Sequence, residues 1–453
     1  MNTSLRGTIK LDEHIRTFEF KDKILFIHPS KSKYDFFDSL LKNEHKHYEL
    51  IIGKTYDNHL IYFLDVTVLN KNDKYYACPL AYTVINCNII DWDYDIFNFK
   101  DIKLKSSAID SLQNAEYSHK LKQYFIKNEN DSDIDSITRK FEITQGKCEL
   151  VTRYNFISRD INTSINVSSN LNITFNEKTS IIDVYQLVNK INEVFKFVFN
   201  RANIAFSSIK LDTEPIKIMD AFDGKTESDT FQATMYILNQ PNEFEARNIN
   251  QIADPILKKF NSLMKVVNKE IISYYPKNDK DFHYVDVEKF IKVCGTFERE
   301  FDNCFPKWLP TNETDYDNIK QELIKFLDKL DDQFKEKNTK ARKAISSFKY
   351  TVNNMNEKLE KRLKFAYNKF SYCLEPRFKN YCKNVNLKET NFNKIFSCFA
   401  NKRNKYVHTF NDLGFSKEEI AGFVMVRELI YCMILKQANF TNEEIEQIIN
   451  IFQ

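Results

Sequence analysis

The sequence predicts an α+β protein in which a β-rich N-terminal domain precedes an all-helical C-terminal domain. Up to about residue 240, stretches rich in Val, Ile, Tyr, Phe and Thr alternate with short polar segments, as strands and turns do. After Pro241 the apolar residues recur at helical spacing as far as the C-terminus. We therefore predict a β-rich domain over residues 1–240 and a helical domain over residues 241–453.

Length and composition restrict the class of protein. The chain of 453 residues is 42% hydrophobic and 14% aromatic, which is enough to form large buried cores. Its nine cysteines include no Cys-x-x-Cys pair, so we expect reduced thiols in a cytoplasmic protein. No segment resembles a signal peptide or reaches the roughly 18 apolar residues of a membrane helix. Only seven glycines are present and none forms a phosphate-binding loop, so we predict no nucleotide cofactor.

Five stretches with strand-like composition are the predicted strands of the first domain: Thr17–Ile27, Tyr48–Ile52, Leu60–Leu69, Tyr75–Ile90 and Phe141–Phe156. One helix is predicted at Ile182–Asn200, where apolar residues at three- and four-residue spacing should pack on the sheet. His45 and His47 share a strand face, but no further ligand follows at a suitable spacing. We therefore predict no metal site.

Apolar stripes define the helices of the second domain. Asp254 and Pro255 are a predicted N-cap and first-turn proline. Buried stripes are predicted for helices over residues 290–301 and 319–334. An unbroken three-four pattern over residues 345–370 predicts one long bundle or coiled-coil helix.

Two capping boxes predict where the last two helices begin. Ser416 with Glu419 and Thr441 with Glu444 each place a hydroxyl residue three positions before a glutamate, ahead of an apolar stripe. The chain is therefore expected to remain helical to its end.

The formal charge of +3 conceals a basic stretch from Lys335 to Lys383. This stretch holds fourteen Lys or Arg against four Glu, a formal +10, so the rest of the chain carries −7. Aromatic residues are interleaved with the cations, and a groove for single-stranded RNA requires both. Arg362 and Lys364 are its candidate RNA-binding residues. The alternative is that the charges form the solvated face of a long helix.

The segment Arg403-Asn404-Lys405-Tyr406-Val407-His408 is the candidate site. An arginine holds phosphate in a fixed fork and a histidine exchanges protons near neutral pH, so the pair can cleave RNA without a metal. Five positions on a regular helix diverge by roughly 140°. Either the helix therefore ends between Arg403 and His408, or two protomers combine their residues. The alternative is a structural role for both residues.

Neighbouring residues could complete this site. Lys402, Lys405 and Tyr406 lie beside or within the segment and are candidate RNA contacts. Arg403 falls on an apolar helix face, where a partner carboxylate is expected if the arginine is structural. Glu298 is a candidate for that partner, either as a structural salt bridge or as part of the site.

This segment is similar to the motif of HEPN-domain ribonucleases, in which Arg is followed by a polar residue, a short spacer and His within an all-helical domain. The chain as a whole resembles the ApeA-type anti-phage defence proteins, which join a β-rich N-terminal domain to a C-terminal HEPN domain. The features that carry the longer resemblance are Gly7 and Ile9 in the β-rich start, the helix Ile182–Asn200 followed by a strand at Ile204–Leu211, and Phe297-Glu298-Arg299-Glu300-Phe301.

The resemblance implies a metal-independent endoribonuclease that acts as an abortive-infection effector, with transfer RNA as the expected substrate. Arg403, Asn404 and His408 would be catalytic, and the RNA 2′-hydroxyl would attack the adjacent phosphate. The family also implies a homodimer with a composite active site and a phage-derived trigger. The alternative is a catalytically inert RNA-binding or scaffold protein that uses the helical bundle as an interaction module.

Overall fold

The computed structural model describes residues 4–11, 14–28, 45–71, 74–85, 97–112, 136–159, 162–219, 226–241, 249–278, 280–308, 314–334, 339–353, 359–387, 391–409 and 414–451. In parts of these ranges, among them residues 407–409, only the backbone is described. The chain divides into two units, Met1–Asn278 and Asp279–Gln453. The first carries the strands and the second is helical, which confirms the α+β class.

The strands of the first unit pair antiparallel. They are β1 Leu5–Leu11, β2 His14–Lys21, β3 Ile24–Ile27, β4 His45–Thr55, β5 Leu60–Lys71, β6 Lys74–Ile85, β7 Asn98–Lys105, β8 Ser136–Ile143, β9 Gly146–Arg159, β10 Asn162–Ser180, β11 Ser208–Thr213, β12 Ile216–Met219, β13 Thr226–Asp229 and β14 Gln232–Ile237. Twelve of them form one sheet in the order β3-β2-β1-β4-β5-β6-β14-β11-β7-β10-β9-β8, and β12 pairs with β13. Strand β3 also pairs with β6, so the first six strands close into a ring.

Alternate residues of these six strands form an apolar core. Phe63 lies edge-on to Phe18 and Phe20, with ring centroids 5.5 and 5.3 Å away. Aromatic side chains fit the pleated surface of a strand and favour this edge-to-face contact. A Cβ on Gly53 would lie 2.9 Å from the Cγ2 atoms of Ile9 and Ile61, so this part of the core requires a residue without a side chain.

The described residues of the first unit also form five α-helices: α1 Ser107–Ser111, α2 Ile181–Val198, α3 Ala253–Lys258, α4 Phe260–Val266 and α5 Lys269–Ile272. Helix α2 confirms the predicted helix and packs on β7 and β10. Ser180 caps it by accepting a hydrogen bond from the Asp183 amide at 3.2 Å.

The predicted boundary at 240/241 precedes the observed division between the units, because the helices that follow Pro241 pack on the first unit. The ring centroid of Phe260 lies 5.7 Å from that of Phe195 on α2 and 5.4 Å from that of Phe141 on β8. Helical periodicity therefore begins before the second unit does. The predicted N-cap Asp254 lies in the first turn instead, because α3 begins at Ala253.

The second unit comprises seven helices among the described residues: α6 Val287–Cys304, α7 Thr314–Gln333, α8 Thr339–Asn353, α9 Leu359–Asn384, α10 Phe392–Thr409, α11 Lys417–Gln437 and α12 Asn442–Ile451. Helix α11 is central, because every residue from Ala421 to Leu435 is buried. It packs against α6, α9, α10 and α12. No helix in the described ranges is long and apolar enough to cross a membrane.

Both predicted capping boxes are present. The Glu419 amide donates to Ser416 Oγ at 3.1 Å, and the Ser416 amide donates to a Glu419 carboxylate oxygen at 2.8 Å. Thr441 and Glu444 form the same reciprocal pair at 3.2 and 2.7 Å. These pairs satisfy amides that would otherwise lack partners at the helix starts.

Two helix predictions are corrected. The pattern over residues 345–370 belongs to two helices, since α8 ends at Asn353 and α9 begins at Leu359, with residues 354–358 outside the described part. The predicted buried stripe of α7 is mostly exposed: Ile319 is 60% exposed and Phe326 is 58% exposed, and only Leu327 is buried. Apolar spacing indicates one face of a helix but does not say that another element covers it.

Two predicted strands are hairpins. The chain from Thr17 to Ile27 turns at Asp22 and Lys23, whose φ angles are 50° and 67°. The stretch from Phe141 to Phe156 turns between β8 and β9. The end of the predicted strand at residues 86–90 lies outside the described residues, and the strand predicted at Ile204–Leu211 is β11, which begins later.

Candidate functional site

The candidate motif lies in the last turns of α10. Phe392, Phe396 and Phe399 are buried on one face of this helix, as the spacing predicts. The Phe399 ring lies 4.7 Å from that of Phe290 on α6, so α10 is held against α6. This contact positions the following turn, which carries Arg403.

Arg403 lies at the edge of this apolar face and is partly exposed. Its Nη2 atom is 3.4 Å from a carboxylate oxygen of Glu298 on α6, and both side chains keep about a third of their surface in solvent, 36% and 35%. The predicted pairing of these two residues is therefore confirmed. Arg403 Nη1 also donates to the Asn404 side-chain oxygen at 3.5 Å. The guanidinium is thus oriented by two neighbours and still accessible.

His408 belongs to the last turn of the same helix. The backbone of α10 continues through Arg403 and His408 to Thr409, so the helix does not end between them. The His408 side chain lies outside the described residues. Positions five apart on a continuous helix diverge by roughly 140°, so Arg403 and His408 do not share one face of α10.

Lys402 is buried, unlike a residue that contacts a ligand from the surface. Its ammonium donates to the Gly414 carbonyl at 2.9 Å and lies 3.4 Å from a carboxylate oxygen of Glu419. It also lies 5.0 Å from the ring centroids of Tyr406 and Phe415. Both Lys402 and Tyr406 are 5% exposed, so their side chains offer little surface to an RNA. Asn404 and Lys405 are exposed.

The two candidate RNA-binding residues of the basic stretch differ in burial. Arg362 is buried, with Nη1 3.0 Å from a carboxylate oxygen of Asp302 and its guanidinium carbon 5.3 Å from the Phe301 ring centroid. Lys364 is partly exposed, and its ammonium lies 2.5 Å from a carboxylate oxygen of Glu360, one turn earlier. Arg362 is therefore part of the packing between α6 and α9.

A buried polar network near the site was not predicted. Glu300, one turn of α6 from Phe297, is 2% exposed and accepts a hydrogen bond from Gln437 Nε2 at 2.9 Å. Arg299 Nε donates to the same carboxylate at 2.9 Å. The network joins α6 to α11. The only signal in the sequence was a glutamate within an otherwise apolar stripe, which does not identify its partner.

The neighbouring thiol is held in its neutral form by burial. Cys294 lies one turn before Glu298 on α6 and is buried. Burial and the Glu298 carboxylate raise the pKa of Cys294 far above its usual value. Because only the thiolate is an effective nucleophile, Cys294 does not contribute a covalent step at neutral pH.

The other histidine of the second unit, His283, was not singled out by the sequence. Its Nδ1 atom lies 3.2 Å from the Tyr381 hydroxyl, and the two rings stack with centroids 5.5 Å apart. Burial, with a smaller effect from Arg427, lowers the pKa of His283, so the neutral ring is favoured at neutral pH. This geometry gives His283 a packing role next to α9.

Comparisons of this chain with models of known protein families, with curated protein sequences and with solved structures find no match.

Proposed function

We propose that the protein is a metal-independent endoribonuclease of the HEPN kind that acts in the cytoplasm as an effector of anti-phage defence. The observation that carries this proposal is the accessible Arg403 guanidinium, oriented by Glu298 and Asn404 in the turn before His408. A charge at the edge of an apolar face, held but not buried, is suited to a ligand such as phosphate.

In the proposed mechanism, the 2′-hydroxyl of the RNA attacks the neighbouring phosphorus and the 5′-oxygen leaves. His408 accepts the proton of the attacking hydroxyl, or delivers a proton to the leaving oxygen. Arg403 stabilises the negative charge that develops on the phosphoryl oxygens. Asn404 and Glu298 restrict the guanidinium to one orientation. The products are a 2′,3′-cyclic phosphate and a 5′-hydroxyl.

The proposed active unit is a homodimer. Positions 403 and 408 of one continuous helix lie about 140° apart around its axis, so in the proposed dimer a second copy of α10 brings its His408 to the first copy's Arg403. In this scheme the β-rich unit responds to a phage-derived trigger, and RNA, with transfer RNA expected first, is the substrate.

A second candidate function is a catalytically inert scaffold or RNA-binding protein. The exposed apolar side chains of α7 favour it, because Ile319, Leu323 and Phe326 lie on one helix face, where a partner protein could cover them. An inert protein would leave incubated RNA whole, so cleavage distinguishes the two functions.

The test is RNA cleavage by purified protein in the presence of EDTA, followed by sequencing of the RNA 5′ ends. Arg403→Ala and His408→Ala should each reduce cleavage by about a thousandfold, since each removes either charge stabilisation or proton transfer. The matched controls are Arg6→Ala, at another exposed arginine paired with a glutamate, and His14→Ala, at an exposed histidine. Cleavage that persists in both site variants, or that stops in EDTA, would contradict the proposal.

A further inference from the structure

A cavity of about 320 Å³ in the first unit lies between the sheet and α2. Its volume is in the range of small-molecule sites. One wall is formed by strands β4 and β5 and the other by one face of α2 together with the start of α5. The side chains that line it include His47, Glu49, Asp65, Tyr185, Lys190 and Lys269.

The strand wall contains a backbone irregularity at Asp65, one of the residues that line the cavity. Asp65 has a φ of 53°, in the left-handed region that few residues other than glycine adopt. The preceding residue, Leu64, is fully buried at the edge of the cavity.

Two carboxylates lie opposite each other at this point. Tyr48 pairs with Val66 and Leu50 with Leu64, so Glu49 and Asp65 occupy facing positions of β4 and β5. Like charges at facing positions of a sheet repel each other. Asp65 also faces His47, whose Nε2 atom lies 3.4 Å from a carboxylate oxygen. A bound cation would relieve this repulsion.

The helix wall carries charges of both signs, because Glu193, Lys190 and Lys269 all line the cavity. The Lys190 ammonium donates to the Val267 carbonyl and lies 3.6 Å from Glu193, so these two charges are paired with each other. Lys269, at the start of α5, is exposed. Tyr185 contributes an aromatic ring, and such rings attract ammonium groups. The cavity thus offers the carboxylates of Glu49 and Asp65 on the strand wall and the exposed ammonium group of Lys269 on the helix wall.

We propose that this cavity binds a small zwitterion, with the ligand's ammonium group against Glu49 and Asp65 and its anionic group directed to Lys269. A metal ion is a poorer fit, since no three metal-ligating side chains of the described residues converge as a metal site requires. The site is independent of the nuclease motif, and it gives the β-rich unit a ligand.

The experiment measures binding of three five-carbon probes to the full chain by isothermal titration calorimetry. The probes are δ-aminovalerate, with one ammonium and one carboxylate; cadaverine, with two ammonium groups; and glutarate, with two carboxylates. We expect δ-aminovalerate to bind most tightly, cadaverine less tightly and glutarate not at all. This order follows from charge alone, because the three chains have the same carbon number.

Substitutions test which protein residues bind the ammonium end of the ligand and which bind its anionic end. Asp65→Asn and Glu49→Gln should each weaken δ-aminovalerate and cadaverine by about tenfold, because each removes a charged hydrogen-bond acceptor. Asn tolerates the left-handed backbone, so Asp65→Asn should fold. Lys269→Gln should weaken δ-aminovalerate about tenfold and should not weaken cadaverine, because it removes a charge that attracts a carboxylate and repels a second ammonium group. Glu142→Gln, at an exposed carboxylate on β8, is the matched control and should change nothing.

Three results would overturn the inference: glutarate binding as tightly as δ-aminovalerate, unchanged affinities in both carboxylate variants, or no saturable binding of any probe below about 10 mM. Each is measured without RNA. The outcome therefore does not depend on whether the protein cleaves RNA.

Discussion

Arg403 is a residue whose presence the stability of the fold does not explain. It pairs with Glu298 at 3.4 Å, but both side chains are about one-third exposed, 36% and 35%. Such pairs contribute about 0–1 kcal/mol, because solvent screens them and two long side chains lose rotamer freedom. An apolar residue here would extend the buried face of α10. The pair is therefore expected to add little to stability, which supports the phosphate-binding role that we propose for Arg403.

Glu298→Gln should distinguish a structural role of the pair between Arg403 and Glu298 from a role in RNA cleavage. We expect the free energy of unfolding, measured by urea denaturation, to change by less than about 1 kcal/mol. RNA cleavage should fall by about tenfold, because the Arg403 guanidinium would no longer be held in one orientation. The control is Glu288→Gln on the same helix, which breaks an exposed pair with Lys292 at 2.6 Å and should leave cleavage unchanged. A loss of stability above about 2 kcal/mol would make the pair structural.

At the scale of elements, the buried side chain of Lys402 joins the end of α10 to the start of α11. The buried ammonium joins the helix to the Gly414 carbonyl and to Glu419 at the start of α11. The adjacent surface cation Lys405 is exposed. The two lysines are three positions apart in the chain but differ in burial, and so they should respond differently to substitution.

Lys402→Met keeps most of the side-chain volume and removes the charge. We expect it to reduce the free energy of unfolding by about 1–3 kcal/mol, because the Gly414 carbonyl and Glu419 lose a buried partner. Lys405→Met, the matched exposed control, should change it by less than about 0.5 kcal/mol. Chemical denaturation of both variants is the measurement. If Lys402→Met instead preserved stability and weakened RNA binding, Lys402 would be an RNA contact.

The sequence predicted elements better than it predicted their partners. Capping boxes are local, so Ser416 with Glu419 was found directly. The exposure of Phe326 on α7 depends on what packs beside that helix, and no local pattern contains this information. The unit boundary was misplaced for the same reason, because Phe260 packs on Phe195 across a long separation in sequence.

The candidate site was also only partly predictable from the sequence. The residue types and spacing of Arg403, Asn404 and His408 could be read from the chain, and Glu298 could be named as a partner. The burial of Lys402 and Arg362 could not, because a lysine or arginine on a helix has the same sequence pattern whether its charge faces solvent or an internal carboxylate. The irregular backbone at Asp65 left no trace in the strand pattern of β5.

At the scale of the whole molecule, the basic stretch is less basic in space than in sequence. Its formal +10 includes cations that lie within 3.4 Å of a carboxylate oxygen: Arg342, Lys349, Arg362, Lys364, Arg377 and Lys379. Several of those carboxylates, such as Asp302 and Glu428, come from outside the stretch. These contacts reduce the positive potential available to an RNA backbone.

The salt dependence of RNA affinity tests this distribution of charge. The logarithm of the affinity for single-stranded RNA falls with the logarithm of salt concentration with a slope of about −0.7 per phosphate neutralised. If only the cations at the motif contact phosphate, the slope should lie between about −1 and −2, whereas a groove of six or more cations would give about −4 or steeper. Titration of labelled RNA into the His408→Ala variant at a series of salt concentrations measures it.

Single substitutions then locate the contacts. Lys405→Gln should make the slope shallower by about 0.7, the effect of one lost phosphate contact, while Lys364→Gln should leave it unchanged because Glu360 already neutralises that ammonium. A steep slope that Lys364→Gln reduces would instead mean that RNA displaces the internal carboxylates. The basic stretch would then be a binding groove that forms only when RNA is present. In that case the RNA phosphates replace the carboxylates as partners of the cations, and the displaced carboxylates become hydrated.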